Sequence, residues 1–352
     1  MTPNMSITEL FSQEKMVKIC APMVRYSKLE FRNLVRKYGC DLCFTPMIMA
    51  DSFIKSEKAR QNEFTTDESD TPVIVQFAAT NMNDFTEAAK LVSPYSSGVD
   101  LNCGCPQRWA MKMGLGAHLL SEPETIKNIV LNVRNQIFAD YSVSVKIRLL
   151  NNAKSTIDLC RQLESAGVTF LTVHGRTKEQ RCEPIDIALI KEIACSVQVP
   201  VVANGDVKKL QDAVTLQNVT GCKGIMSARG ILHNPALFMG CKETPLECVN
   251  DWIDISLNSK LHFLTFHHHL VFMLEKILPK CQRKIFNTLS NYKDVLYFLN
   301  DYFGFNYMYD LHNLCSAESF GKEMKYNKYF RENTKRISHT DDILFDVLHL
   351  YE

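Results

Sequence analysis

The stretch DLNCGCPQRWAMKMGLGAHLL (100–120) puts two thiols, Cys103 and Cys105, one residue apart beside Asn102 and Pro106. Both are candidates for a functional thiol, although a single cysteine is most often an inert core residue. A Cys-x-Cys metal site has no second ligand pair at suitable spacing to complete it. Pro106 ends a strand-like run, and Gly114 and Gly116 make the following loop able to close over a substrate. Trp109 in that loop offers a face for a base, or simply packs. Elsewhere, Lys146 sits within VSVKIRLL, an otherwise buried-looking run, and a buried lysine needs a partner. Gln76 ends the apolar run TPVIVQFA and can both donate and accept. His174, in TVHGRT, either bonds a ligand or is a satisfied core histidine.

Two glycine-bearing turns carry a phosphate signal. Asn204-Gly205-Asp206 and Ala228-Arg229-Gly230 place glycine where backbone N–H groups approach an anion closely, and Arg229 adds a charged donor. One such turn satisfies a tight connection and nothing more; two, after successive strands, point to phosphate. No G-x-G-x-x-G turn follows any strand, so a flavin fits better than a bound nicotinamide. Reduction of a flavin builds negative charge near N1 and C2=O, which a fixed cation such as Lys146 stabilises.

The elements that must position these groups form a repeating pattern. Eight apolar runs alternate with helix-like stretches: Met16–Met23, Asp41–Ile48, Thr71–Ala78, Gly98–Pro106, Ser142–Leu149, Val168–Thr177, Val199–Val207 and Gly224–Leu232. The candidate polar residues collect at the C-terminal ends of nearly all of them, which favours a (β/α)₈ TIM barrel over an open doubly wound sheet. Helix signals include Asn83 as a cap, Pro123 in a first turn and Gly167 as a stop. Beyond residue 240 the strand pattern ceases, and Trp252–Leu278 and Arg283–Leu299 read as helices. The expected division is a catalytic barrel over 1–240, an all-helical domain over 241–304 and an extension of unknown role over 305–352. Cys40-x-x-Cys43 reads as packing, and the run His267-His268-His269 as a solvated or mixed helix face.

Composition excludes several classes. A net charge of +1 announces no nucleic-acid partner globally, so any basic footprint must be local. Thirteen cysteines in no regular framework argue against a disulfide-stapled secreted protein. The N-terminus has neither a signal-peptide nor a presequence pattern, and no apolar run reaches the ~20 residues of a membrane span. The expectation is a soluble, cytoplasmic protein, with the nucleus as an alternative, and a monomer with no obligatory protein partner.

APMVRYS (21–27), the NCGCPQ loop, VKIRL, TVHGRT, ANGDV and MSARGIL-x-NPALF together resemble the tRNA-dihydrouridine synthases, and within them the eukaryotic members acting at D-loop positions 20a and 20b. The resemblance runs from about residue 16 to 304. It implies an FMN-bearing barrel with NADPH or NADH as reductant, and tRNA held partly by the helical domain. It implies FMN contacts at Pro22, Met23, Val24, Gln76, Lys146, His174, Asn204, Gly205, Asp206, Ala228 and Arg229. Asn102, Arg148 and Arg176 would face the substrate, and Cys105 would be the proton donor. The chemistry agrees: hydride addition at uracil C6 leaves an enolate, and a thiol with pKa ~8.5 is protonated near neutrality yet acidic enough to protonate C5. Strand alternation puts Cys103 and Cys105 on one side and does not choose between them; the family motif chooses Cys105. Two rival readings are a flavin barrel acting on a free small molecule and a catalytically silent RNA-binding relative.

Overall fold

The computed structural model describes residues 6–305; residues 1–5 and the extension from 306, with its apolar DILFDVLHL segment, lie outside it. Eight parallel strands form the core: β1 (Val17–Cys20), β2 (Leu42–Phe44), β3 (Val73–Ala78), β4 (Gly98–Cys103), β5 (Ser142–Arg148), β6 (Phe170–His174), β7 (Val201–Asn204) and β8 (Gly224–Ser227). Each pairs with its sequence neighbour, and β8 returns to β1 with Val17 opposite Gly224, so the sheet closes into a barrel. The strands are buried almost throughout, the reason they appear in sequence as continuous apolar runs rather than alternating ones.

The second run is cut short. Pro46 has no N–H to give the ladder, so β2 stops at Phe44 and the chain resumes pairing only at the two-residue strand Ile48–Met49 beside β3. At the N-terminal end of the barrel, Phe170 lies 5.1 Å from Phe11 of the first helix, Ile7–Ser12, and 6.3 Å from Phe44. These rings fill the lower interior and leave the upper end for polar groups.

Local signals fare unevenly. Pro123 opens the helix Pro123–Gln136, and Gly167, with φ +92, follows the helix Ala153–Ser165. The helix Met82–Val92 is capped by Asn81, which accepts from Asp84 N at 2.9 Å, and not by Asn83. The two long C-terminal helices expected from periodicity are four: Leu246–Asn258, Phe263–Leu274, Lys280–Asn287 and Tyr292–Phe303. Lys260 in the left-handed region (φ 54) splits the first, and Asn291, extended and capping the last helix by accepting from Asp294 N, splits the second.

These helices pack back on the barrel. Lys37 and Tyr38, at the end of the helix Leu29–Lys37, both bond Asp251 at 2.6 Å. The histidine run belongs to this packing and not to a solvated face. His267 bonds the Phe286 carbonyl at 2.9 Å, and His269 is fully buried between Phe31 and Trp252, 4.5 and 4.4 Å away. Cys40 and Cys43 are buried with their sulfurs 3.8 Å apart, in keeping with a packing role. No helix among the described residues is long and apolar enough to cross a membrane.

A buried ion pair ties the loop before β3 to the barrel. Arg32 is held by both oxygens of Asp70, the nearest contact at 2.6 Å, and donates also to the Ser27 and Thr65 carbonyls. Both side chains are essentially inaccessible. Asp70→Ala is therefore expected to cost about 3–5 kcal/mol, because it strands a buried guanidinium. Urea-unfolding midpoints measure this; a variant matching the parent would contradict the account.

Candidate active site

Parallel strands alternate faces with period two, so residues in register on neighbouring strands meet on one side. Gln76 lies beside Asp100, Asp100 beside Ser144, Asn102 beside Lys146, Arg148 beside His174, and His174 beside Asn204. The polar ends of β3 to β7 thereby ring one opening.

The centre of that ring is Asp100, which is fully buried. Ser144 Oγ donates to one carboxylate oxygen at 2.7 Å and Gln76 Nε2 to the other at 2.8 Å. Burial pushes the Asp100 carboxyl up to about 6, while Ser144, Gln76 and Lys146 pull it down, so it is ionised at neutral pH. A carboxylate only accepts, so the Gln76 amide must turn its nitrogen toward it. Gln76 Oε1 then accepts from Asn102 Nδ2 at 2.8 Å. Asn102 Oδ1 in turn accepts the backbone N–H of Gly104 at 3.2 Å and of Cys105 at 3.0 Å. Arg148 fixes the other side of this turn, donating from Nε to the Gly104 carbonyl at 2.8 Å and from Nη1 to the Thr177 carbonyl at 2.9 Å.

Gly116 serves the same turn. A Cβ there would lie 2.5 Å from the Cys105 carbonyl oxygen, and Ala117 N donates to that oxygen at 2.9 Å. The glycine permits a close passage against Cys105, where the sequence pointed to a hinge. β4 ends at Cys103, so strand alternation never reaches Cys105. Cys103 is fully buried and outside the opening, whereas Cys105 lines a cavity with Gln76, Asn102, Lys146, Arg148 and His174. Pro22, Val24 and Met47 form the opposing wall. Met23 is fully buried, and its side chain lines no part of this opening.

A second cavity adjoins the first and shares His174. Asn204, Gly205, Asp206, Ala228 and Arg229 line it, together with Arg176 and Lys208. Gly205 has φ +124, and a Cβ there would meet Ile185 at 2.5 Å, so only glycine fits. Gly230 answers to packing, since its Cβ would fall 2.1 Å from the Val207 carbonyl. Arg176, expected on the substrate side, lies instead at this end, with Nη2 donating to Asp206 Oδ1 at 2.7 Å.

The electrostatics follow from crowding cations in a partly dry opening. Lys146 makes no hydrogen bond or ion pair among the described residues. Burial first, then Arg148, pushes its ammonium down to about 8, against Asp100 and Cys105. Burial likewise lowers Arg148 to about 10 and drives His174 well below its ordinary value, with Arg148, Lys146 and Arg176 adding to the latter. His174 is thus neutral at pH 7. Arg176 Nη1 lies 3.3 Å from its Nε2, and an arginine only donates, so the ring proton sits on Nδ1. Burial raises the Cys105 thiol, while the Gln107 amide, Arg148 and Lys146 pull it back; the net direction is upward, toward a protonated thiol.

This donor set fits FMN: amide groups and an ammonium at one end, cations and a glycine turn at the other, and a neutral histidine between. Asp100, Ser144, Met47 and Lys208 are additions that sequence reading missed. Asp100 was within reach, since it stands two residues before Asn102 on one strand and so shares its face. Met47 and Lys208 gave no signal.

Residues 19–330 match the model of the family described as Dihydrouridine synthase (Dus). A human protein named tRNA-dihydrouridine(20a/20b) synthase NAD(P)+-like is 50% identical over 297 residues, covering 84% of this chain and 94% of its own length. The tRNA-dihydrouridine(20a/20b) synthase of Schizosaccharomyces pombe is 41% identical over 84% of this chain and 91% of its own. That of Saccharomyces cerevisiae is 37% identical over 82% of this chain and 80% of its own. With the family model spanning most of the chain and relatives matched along nearly their whole length, this protein belongs to the dihydrouridine synthase family.

Proposed function

We propose that this protein is an FMN-dependent tRNA-dihydrouridine synthase that reduces the C5=C6 bond of a D-loop uridine at position 20a or 20b, with NADPH or NADH as reductant. The observation that carries this reading is the placement of Cys105 on the wall of a cavity that continues past His174 into a cation-lined pocket. The relatives named above for tRNA-dihydrouridine(20a/20b) synthesis support the substrate.

The second cavity would take the FMN phosphate through Arg229, Arg176, Lys208 and the Gly205 turn, with Asn204, Asp206 and Ala228 shaping it. Gln76, Lys146 and His174 would hold the ring system, with Pro22, Val24 and the backbone of Met23 along its other side. FMN held there would supply the hydride equivalent for uracil C6, with the nicotinamide as the source of the electrons. Lys146, on the cavity wall, would hold the pyrimidine edge of the flavin and stabilise the negative charge that develops there. Cys105 gives the thiol proton to C5, and the sulfur left behind is stabilised by Arg148 and Lys146. Asn102 and Arg148 hold the turn that carries the thiol and face the base. The division into a catalytic barrel (1–240) and an RNA-holding helical unit (241–304) belongs to this proposal, as do a monomeric state and a cytoplasmic or nuclear location.

Cys105→Ala is expected to retain flavin and its reduction by NADPH while losing about 10²–10⁴-fold in uridine reduction. Cys103→Ala is expected to stay near wild type; the reverse pattern, measured as dihydrouridine formed per bound flavin, would refute the assignment of the acid.

The charge on Lys146 gives a pH dependence. Its pKa is lowered to about 8, so the cation is present below that pH and is lost as pH rises through it. FMN affinity, followed by flavin fluorescence quenching, is expected to weaken from pH 7 to pH 9.5. Lys146→Met is expected to bind FMN more weakly and without that decline. A wild-type affinity flat across this range would contradict the role.

A further inference from the structure

The helix Arg108–Lys112 begins three residues after Cys105. Its Ala110 is fully buried in a small apolar cluster with Ala78 and Leu115, against which Cys105 itself packs. This contact fixes the inner side of the helix. The helical repeat then turns Arg108 with Lys112, and Trp109 with Met113, to solvent as two i, i+4 pairs. Trp109 is 46% exposed and Met113 54%, adjoining apolar surfaces on the helix that follows Cys105. The indole N–H donates to Gln107 Oε1 at 2.6 Å, so the polar edge of the ring is satisfied and its face is what remains. Arg108 and Lys112 form no ion pair among the described residues.

An aromatic face flanked by cations that lack carboxylate partners matches the chemistry of unpaired nucleotides: the base stacks and the phosphates meet the cations. A duplex does not satisfy it, because paired bases hide their faces. We infer that Trp109 stacks on the base of an unpaired tRNA nucleotide adjacent to the target uridine, with Arg108 and Lys112 on the flanking phosphates. The inference rests on the reading of Cys105 as proton donor to a tRNA uridine, and adds a second nucleotide to the recognised substrate. Trp109 stands four positions after Cys105, a span of at most about 14 Å, which is within reach of a neighbouring nucleotide. Gripping that neighbour on the helix that follows the acid would hold the strand while the target base leaves its stack.

The chain supplies its own probe, since its two tryptophans differ in setting. Trp252 is fully buried with its N–H bonded to the Phe266 carbonyl at 3.1 Å, so acrylamide-quenchable emission reports Trp109. Saturating the holoenzyme with unmodified tRNA is expected to remove most of that quenchable emission, and Trp109→Phe to abolish the change. Trp109→Ala is expected to raise KM for tRNA about 10-fold, beyond any change in kcat, with Trp109→Phe recovering most of the loss. Replacing Arg108 and Lys112 together by Gln is expected to flatten the slope of log KM against log salt by about 1.4, at about 0.7 per single-strand phosphate. Emission that stays quenchable at saturating tRNA, or a Trp109→Ala enzyme with unaltered KM, would overturn the inference. Wild-type protein that binds tRNA yet forms no dihydrouridine would overturn the functional reading instead.

Discussion

A buried carboxylate with nothing to donate sets the polarity of the whole mouth. Because Asp100 accepts from both Ser144 and Gln76, every amide after it has one permitted orientation, through Gln76 and Asn102 to the backbone of Gly104 and Cys105. Burying that charge is costly, and the two hydrogen bonds together with the field of Lys146 offset it. The chain of bonds also determines what remains for a ligand. The second hydrogens of Gln76 Nε2 and Asn102 Nδ2, the Lys146 ammonium and the His174 Nδ1–H are all donors. Such a lining suits the carbonyl-rich edges of a uracil and of a flavin pyrimidine ring.

The same opening crowds several cationic side chains into a partly dry space. Lys146, Arg148, Arg176 and Arg229 crowd around a neutral His174, and burial first, with the neighbouring cations adding to it, lowers Lys146, Arg148 and His174. Asp206 answers Arg176, and the Asp100 carboxylate acts on Lys146. Local crowding of this kind reconciles a chain of net charge +1 with a polyanionic substrate and a phosphate-bearing cofactor. The force that draws the ligands is concentrated at the mouth, and the overall balance conceals it.

Much of the architecture was legible because buried parallel strands are continuous apolar runs closed by turn residues, and eight of them with polar ends admit few layouts. The errors have a common physical source in contacts between distant parts of the chain. Asn83 has the right chemistry for a cap, but Asn81 has the right place. The histidine run looked amphipathic by residue type, whereas barrel rings such as Phe31 cover it. Arg176, which the family resemblance put toward the substrate, is held by Asp206 in the second cavity beside Gly205. In the site, the residues with unusual side chains at strand ends could be picked out singly. The relay that joins them could not, because strand alternation puts Asp100 on the face of Asn102 but only register sets it against Gln76 and Ser144. The preference for Cys105 over Cys103 likewise came from family wording, and strand alternation has no bearing on it because β4 ends at Cys103.

The central claim is reduction of a defined uridine in tRNA. Unmodified tRNA incubated with the FMN-loaded protein and NADPH, then mapped for dihydrouridine position by position, tests it most directly. The account predicts dihydrouridine at 20a or 20b and at no other D-loop position. Flavin that NADPH reduces, with no dihydrouridine in tRNA but turnover of a free pyrimidine, would contradict it and leave a barrel reductase of small molecules.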